Sequence, residues 1–257
     1  MLILLSPAKK LKFSPPAFEF KPTKPRFEEE TMELATFMKA LSVADISSLM
    51  NISENLAILN YDRYKRFLAK PLENDVTPAA FTFAGDTYVG LDASSLPTNT
   101  INFLQNNVRI ISGLYGLLRP LDNIQAYRLE MGSQIKTQHG KNLYAYWGTK
   151  LSKVLEAEIK KHENKVIVNL ASEEYFKSVN TTALMSKVIT PKFLENKNGD
   201  FKVISFLAKK ARGSMARYIV RNKIVKVEEI KSFDYAGYKF DASTSSDQEF
   251  IFKRDQA

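Results

Sequence analysis

Two short apolar runs constrain this chain most. Leu2-Ile3-Leu4-Leu5 is closed by Ser6-Pro7, and Val166-Ile167-Val168-Asn169-Leu170 is equally compact. Runs this short and this apolar suit strands buried on both faces rather than helices. Around them the pattern turns helical over about 28–70, 146–161 and 207–221. Further strand-like segments stand at Phe81-Thr82-Phe83, Tyr88-Val89-Gly90-Leu91, Val108-Arg109-Ile110-Ile111 and Phe250-Ile251-Phe252. Asn196 to Asp200 reads as a hairpin turn between 187–193 and 201–206. Strands and helices interleave without repeat or low-complexity linker. This predicts one α/β (mixed α+β) domain over 1–257, a mixed sheet with surrounding helices, and a helical lobe at 28–70 within it. The stretch from Pro15-Pro16 to Pro25 reads as extended and surface-lying.

Lys and Arg number 37 against 28 Asp and Glu, a net charge of +9, and the surplus is uneven. Residues 202–226 carry Lys202, Lys209, Lys210, Arg212, Arg217, Arg221, Lys223 and Lys226 with no acid among them. Residues 1–27 carry Lys9, Lys10, Lys12, Lys21, Lys24 and Arg26 against Glu19 alone. Polyanions are therefore the first partners to consider. On a helical wheel, Leu207, Ala208, Ala211, Met215, Tyr218 and Ile219 share an apolar arc, while Lys210, Arg217 and Arg221 gather on another. That second arc is either a phosphate-binding ridge or a solvated helix face. The chain has no cysteine, which excludes disulfides, thiol nucleophiles and thiolate metal sites. Its two histidines, His139 and His162, stand in polar stretches and read as surface residues. No metal and no cofactor is expected. The apolar start is too short for a signal h-region and no run approaches a membrane span, so a soluble, cytoplasmic protein without a membrane partner is expected.

Ser42-Val43-Ala44-Asp45 is a helix start of the capping-box type. The helix it opens should reach Met50, and Ser53 then caps a second helix running towards Phe67. The tight link of Asn51 and Ile52, the small Ala57 and the basic Arg63 and Lys65 fit a helix–hairpin–helix element of the DNA-binding kind. The hairpin glycines of that element are missing, and read alone the segment is an ordinary αα-hairpin more often than a DNA clamp. Farther on, Arg119, Asp122, Arg128 and Glu130 form either an internal ion-pair network or a cleft floor where arginine meets phosphate. Glu173, Glu174, Tyr175 and Lys177 follow a buried strand, where open α/β sheets place ligands; two adjacent carboxylates there are either solvated or do acid–base work.

Ser6-Pro7-Ala8-Lys9, Gly85 to Leu91, Ser112 to Asp122, Tyr127 to Gly132, Tyr146-Trp147-Gly148, Asn169 to Lys177 and Ala208 to Gly213 together resemble the YaaA family of bacterial peroxide-stress proteins, in unbroken order along the chain. Ala126 departs from the family pattern, which carries proline before Tyr127-Arg128. The resemblance implies a family-specific α/β fold with a helix–hairpin–helix and a basic cleft. It implies binding of duplex, bubble or branched DNA without sequence specificity, hydrogen-peroxide resistance and lower free intracellular iron. Carried onto this chain, the DNA-binding set is Lys9, Lys10, Asn51, Ile52, Ser53, Arg63, Arg119, Arg128, Lys177, Lys209, Lys210, Arg212 and Arg217. A monomer is expected. The alternative is an enzyme acting on nucleic acid or nucleotide, with Lys9 or Lys209 paired to Glu130 or Glu173 in a deep pocket.

Overall fold

A computed structural model describes residues 1–13 and 19–255; the Pro15-Pro16 part of the proline-rich stretch lies outside them. Strand β1 (Leu2–Leu5) is buried along its whole length. Helices α1 (Glu28–Ala40), α2 (Val43–Met50) and α3 (Glu54–Arg66) follow, in the stretch whose pattern is helical. Next come β2 (Thr77–Pro78), α4 (Ala79–Thr82), α5 (Asp86–Leu91) and α6 (Ile101–Asn107). Strands β3 (Val108–Ser112), β4 (Gly116–Leu118) and β5 (Asn123–Ile124) lead to α7 (Leu143–Trp147) and α8 (Lys150–Ile159). The remainder is β6 (Val166–Leu170), α9 (Glu173–Phe176), β7 (Lys187–Lys197), β8 (Asp200–Lys202), α10 (Ser205–Arg221), β9 (Lys239–Phe240) and β10 (Glu249–Arg254).

The main sheet runs β4-β3-β1-β6-β7-β10-β9, with β8 paired to β7. β1 lies parallel to both β3 and β6, while β4, β8 and β9 pair antiparallel with their neighbours. It is the expected mixed sheet. β2 and β5 form a separate two-stranded ladder.

Four sequence readings are corrected, two of them strands. Phe81-Thr82-Phe83 and Tyr88-Val89-Gly90-Leu91 are not strands; α4 and α5 occupy those positions. Their aromatic and β-branched composition favours strand locally, but tertiary packing overrides it. A Cβ on Gly90 would lie 2.1 Å from the Lys210 carbonyl oxygen, and one on Gly213 would lie 1.7 Å from that of Thr87. Helices α5 and α10 cross with backbone against backbone, and only glycine permits it. The 146–161 segment also divides, because Gly148 at φ 48° ends α7 before α8 begins.

Other local signals act as read. Ser42 Oγ accepts from the Asp45 amide and the Asp45 carboxylate accepts from the Ser42 amide, closing the capping box. Asn51 turns the chain at φ 49°. Asn198 and Gly199, at φ 55° and 89°, make the hairpin between β7 and β8.

His162 is half-buried rather than a surface group, and burial, with the nearby N-terminal ammonium and Arg109 adding, lowers its pKa from 6.5 to about 4. The unfolded chain therefore takes up a proton that the folded one refuses. Stability should fall as pH drops from 6.5 towards 4, and His162→Gln should flatten that fall in urea titrations.

Gly213→Ala should cost about 3 kcal/mol in urea denaturation despite the better helix propensity of alanine, because the added methyl meets backbone. Gly199→Ala, with nothing within 4 Å of the added carbon, should cost about 1 kcal/mol from backbone strain alone.

Candidate nucleic-acid interface

The parallel strands β1, β3 and β6 end on the same side of the sheet, and the segments leaving them meet there. Ser6 Oγ, just past β1, accepts from the Ser172 amide just past β6 at 2.8 Å. The 6–12 segment then runs beside α4 and α5, where the Ala84 amide donates to the Lys10 carbonyl at 2.9 Å and the Lys12 amide to that of Thr82 at 2.8 Å. This course carries Lys9 over the 127–130 segment. Its ammonium lies 2.7 Å from Glu130 Oε2, and Arg128 Nη2 donates to Glu130 Oε1 at 2.9 Å. One carboxylate thus serves two cations.

Arg128 keeps a further donor in reserve, because its Nε is buried without a partner. Arg63 of α3 lies close enough to Arg128 to be disfavoured as a cation by it, although burial is the larger cause of that lowering. Arg63 Nη1 donates to Asn60 Oδ1 at 3.2 Å. Arg63 and Arg66 line a cavity of about 230 Å³ together with Asp62, Asp75, Leu59, Gln125 and Ala126. Lys9 and Arg128 therefore share Glu130 as their ion-pairing carboxylate, and Arg63 extends the strip beside Arg128 with two acids lining the same cavity.

The strip continues on the other side. The Gly132 amide donates to Glu174 Oε1 at 3.0 Å, the Tyr144 hydroxyl donates to the Glu174 carbonyl at 3.1 Å, and Lys177 lies 5.3 Å over the Tyr144 ring. Glu174 is thus a backbone anchor.

The remaining expected residues sit elsewhere. Arg119 is the internal ion pair of the two readings: it donates to the fully buried Asp122 at 2.8 and 3.0 Å and to the Lys24 carbonyl. Arg217 donates to the Leu91 and Asp92 carbonyls at 3.1 and 2.7 Å, tying α10 to the end of α5. Lys10, Lys209 and Lys210 are exposed and have no side-chain partner among the described residues. Arg212 is partly buried, has no acidic partner among the described residues, and is pulled down by burial alone. The hairpin tip, Asn51, Ile52 and Ser53, stands at the opposite end of α3 from Arg63, and a helix of 13 residues spans about 20 Å.

Sequence reasoning missed what holds this strip in place. The Tyr64 hydroxyl donates to the Arg128 carbonyl at 2.9 Å and that of Tyr88 to the Ser6 carbonyl at 3.0 Å. The Tyr115 hydroxyl accepts from the Gln125 amide at 3.0 Å, and Tyr127 shares a 2.7 Å bond with Ser112. Burial pushes all four phenols up, so each stays neutral and able to donate. No sequence signal marks these tyrosines, since their partners are distant in the chain.

The crevice between Lys9, Arg128, Glu130 and Tyr175 measures about 10 Å³, room for a single water rather than a substrate. No group of three or more metal-ligating side chains gathers among the described residues, and no helix there is long and apolar enough to cross a membrane.

Residues 1–244 match the family model described as peroxide stress protein YaaA. The chain is 48% identical over 256 residues to a UPF0246 protein of Saccharophagus degradans, with all of both chains covered. A UPF0246 protein of Ruegeria pomeroyi is 46% identical over 254 residues, 99% of this chain and 98% of that one. One from Alteromonas mediterranea is 46% identical over 258 residues, 100% and 99% of the two chains.

Tyr64→Phe and Tyr88→Phe should each cost about 1 kcal/mol in chemical denaturation, since each leaves a carbonyl without its donor. The two losses should add, because the phenols hold different segments.

Proposed function

Since the chain belongs to the peroxide stress protein YaaA family, we propose that it acts in that response by binding DNA, duplex, bubble or branched, without sequence specificity. The observation that carries this reading is Glu130 shared by Lys9 and Arg128, with Arg63 beside Arg128. Two cations on one carboxylate leave charge over for a phosphate, and the buried, unpartnered Nε of Arg128 gains a partner where the side chain turns towards a phosphate oxygen. Arg212 gives independent support, since a partly desolvated guanidinium without an acid gains most from an incoming anion. The exposed hairpin at Asn51 to Ser53 fits the same reading as a backbone contact that positions DNA without reading bases. Limitation of free intracellular iron and of DNA damage belongs to the same proposal, as the outcome of DNA occupancy.

Fluorescence anisotropy with a labelled duplex tests it. Affinity should fall roughly 100-fold between about 50 and 200 mM salt, as neutralisation of about four phosphates requires. Arg128→Ala and Arg212→Ala should each weaken binding several-fold and make the salt slope shallower by about one. A salt-independent affinity, or both variants binding as the wild type does, overturns the reading.

A further inference from the structure

The 202–226 segment holds one feature that backbone electrostatics does not use. Phe206, in the first turn of α10, is 61% exposed, and Val203 just before the helix is 56% exposed. Phe206 has no ring or cation contact among the described residues, whereas the nearby Phe201 ring is already covered by the Lys253 ammonium at 4.9 Å. Lys209 and Lys210 follow Phe206 at i+3 and i+4, so both side chains leave the same helix face as the ring. Both are exposed and without a partner among the described residues.

A free aromatic face flanked by two unneutralised cations matches the chemistry of one nucleotide. The base stacks on the ring while its phosphates meet the ammonium groups. A paired base shows its face only to its stacked neighbours, so the match is with an unpaired one. The chain leaves this ring out of the core although burial would stabilise the fold. It does so within a segment, 202–226, that contains no Asp or Glu.

We infer that Phe206 is a base-stacking residue that gives this protein a contact with unpaired nucleotides, with Lys209 and Lys210 holding the adjoining phosphates. The inference rests on the DNA-binding reading above and adds a residue and a ligand state to it. Phe206 contributes to single-stranded segments and not to intact duplex, while Lys209 and Lys210 contribute to both.

The full chain is titrated with a single strand of about 12 nucleotides and with a duplex of about 20 base pairs, read by anisotropy. Phe206→Ala should weaken single-strand binding roughly tenfold, leave duplex binding within about twofold and leave the salt slope unchanged. Phe206→Trp should keep the affinity, and its emission should be quenched by the single strand. The natural Trp147 is fully buried and gives a constant background. If Phe206→Ala binds the single strand as tightly as the wild type while Lys209→Ala binds both ligands more weakly, stacking is overturned and DNA binding stands. A changed oligomeric mass for Phe206→Ala by light scattering, with unchanged affinities, makes the patch a contact between copies and overturns the inference. Absence of all DNA binding by the wild type overturns both readings.

Discussion

Strand β1 is hydrogen-bonded on both edges to parallel partners and closed to water along its length. Parallel neighbours cannot be joined by tight turns, so the chain must cross over the sheet before it adds each of them. The helical lobe and α4 to α6 fill the first crossover, from β1 to β3; α7 and α8 lie in the passage to β6. Strands that run the same way also finish on the same side. Segments from three distant parts of the chain, 6–12, 127–132 and 171–177, are thereby delivered to one place. The basic strip is a consequence of that topology, since none of its cations is a sequence neighbour of the others.

Gathering like charges costs energy, and the fold meets that cost with neutral polar groups. The phenols of Tyr64 and Tyr88 bind backbone carbonyls behind Arg128 and ahead of Lys9. Being buried and un-ionised, they orient both walls without supplying anionic charge to the site. Glu130 offsets it for Lys9 and Arg128 at once, while Asp62 and Asp75 line the cavity with Arg63. The backbone beneath these charges stays bonded to the phenols.

What the sequence shows of this protein follows the range of each interaction. The Ser42–Asp45 box, the Asn51 turn and the Asn198-Gly199 hairpin are settled within a few residues, and all three are legible. The apolar runs of β1, β3 and β6 are legible because burial on both faces leaves no alternation to confuse. Residues 88–91 are not, since their helical state depends on Gly90 meeting a backbone 120 residues farther along. The tyrosine clasps fail for the same reason, with partners 64 and 82 residues away. The wheel of α10 groups Arg217 correctly with Lys210, but it contains no information about α5, whose carbonyls take up that guanidinium. Both arginines of the 119–130 segment pair with an acid of the same segment, as its ion-pair reading has it. Arg119 meets a fully buried acid, while Arg128 meets one that still faces water.

The outermost strands of the sheet have a separate consequence. On one side it ends in β4, three buried residues long, and on the other in β9, two residues long. Edges so short expose almost no unpaired peptide groups to another chain. A second copy finds little to extend there, so the short edges oppose growth of the sheet from molecule to molecule, even where many copies stand close together.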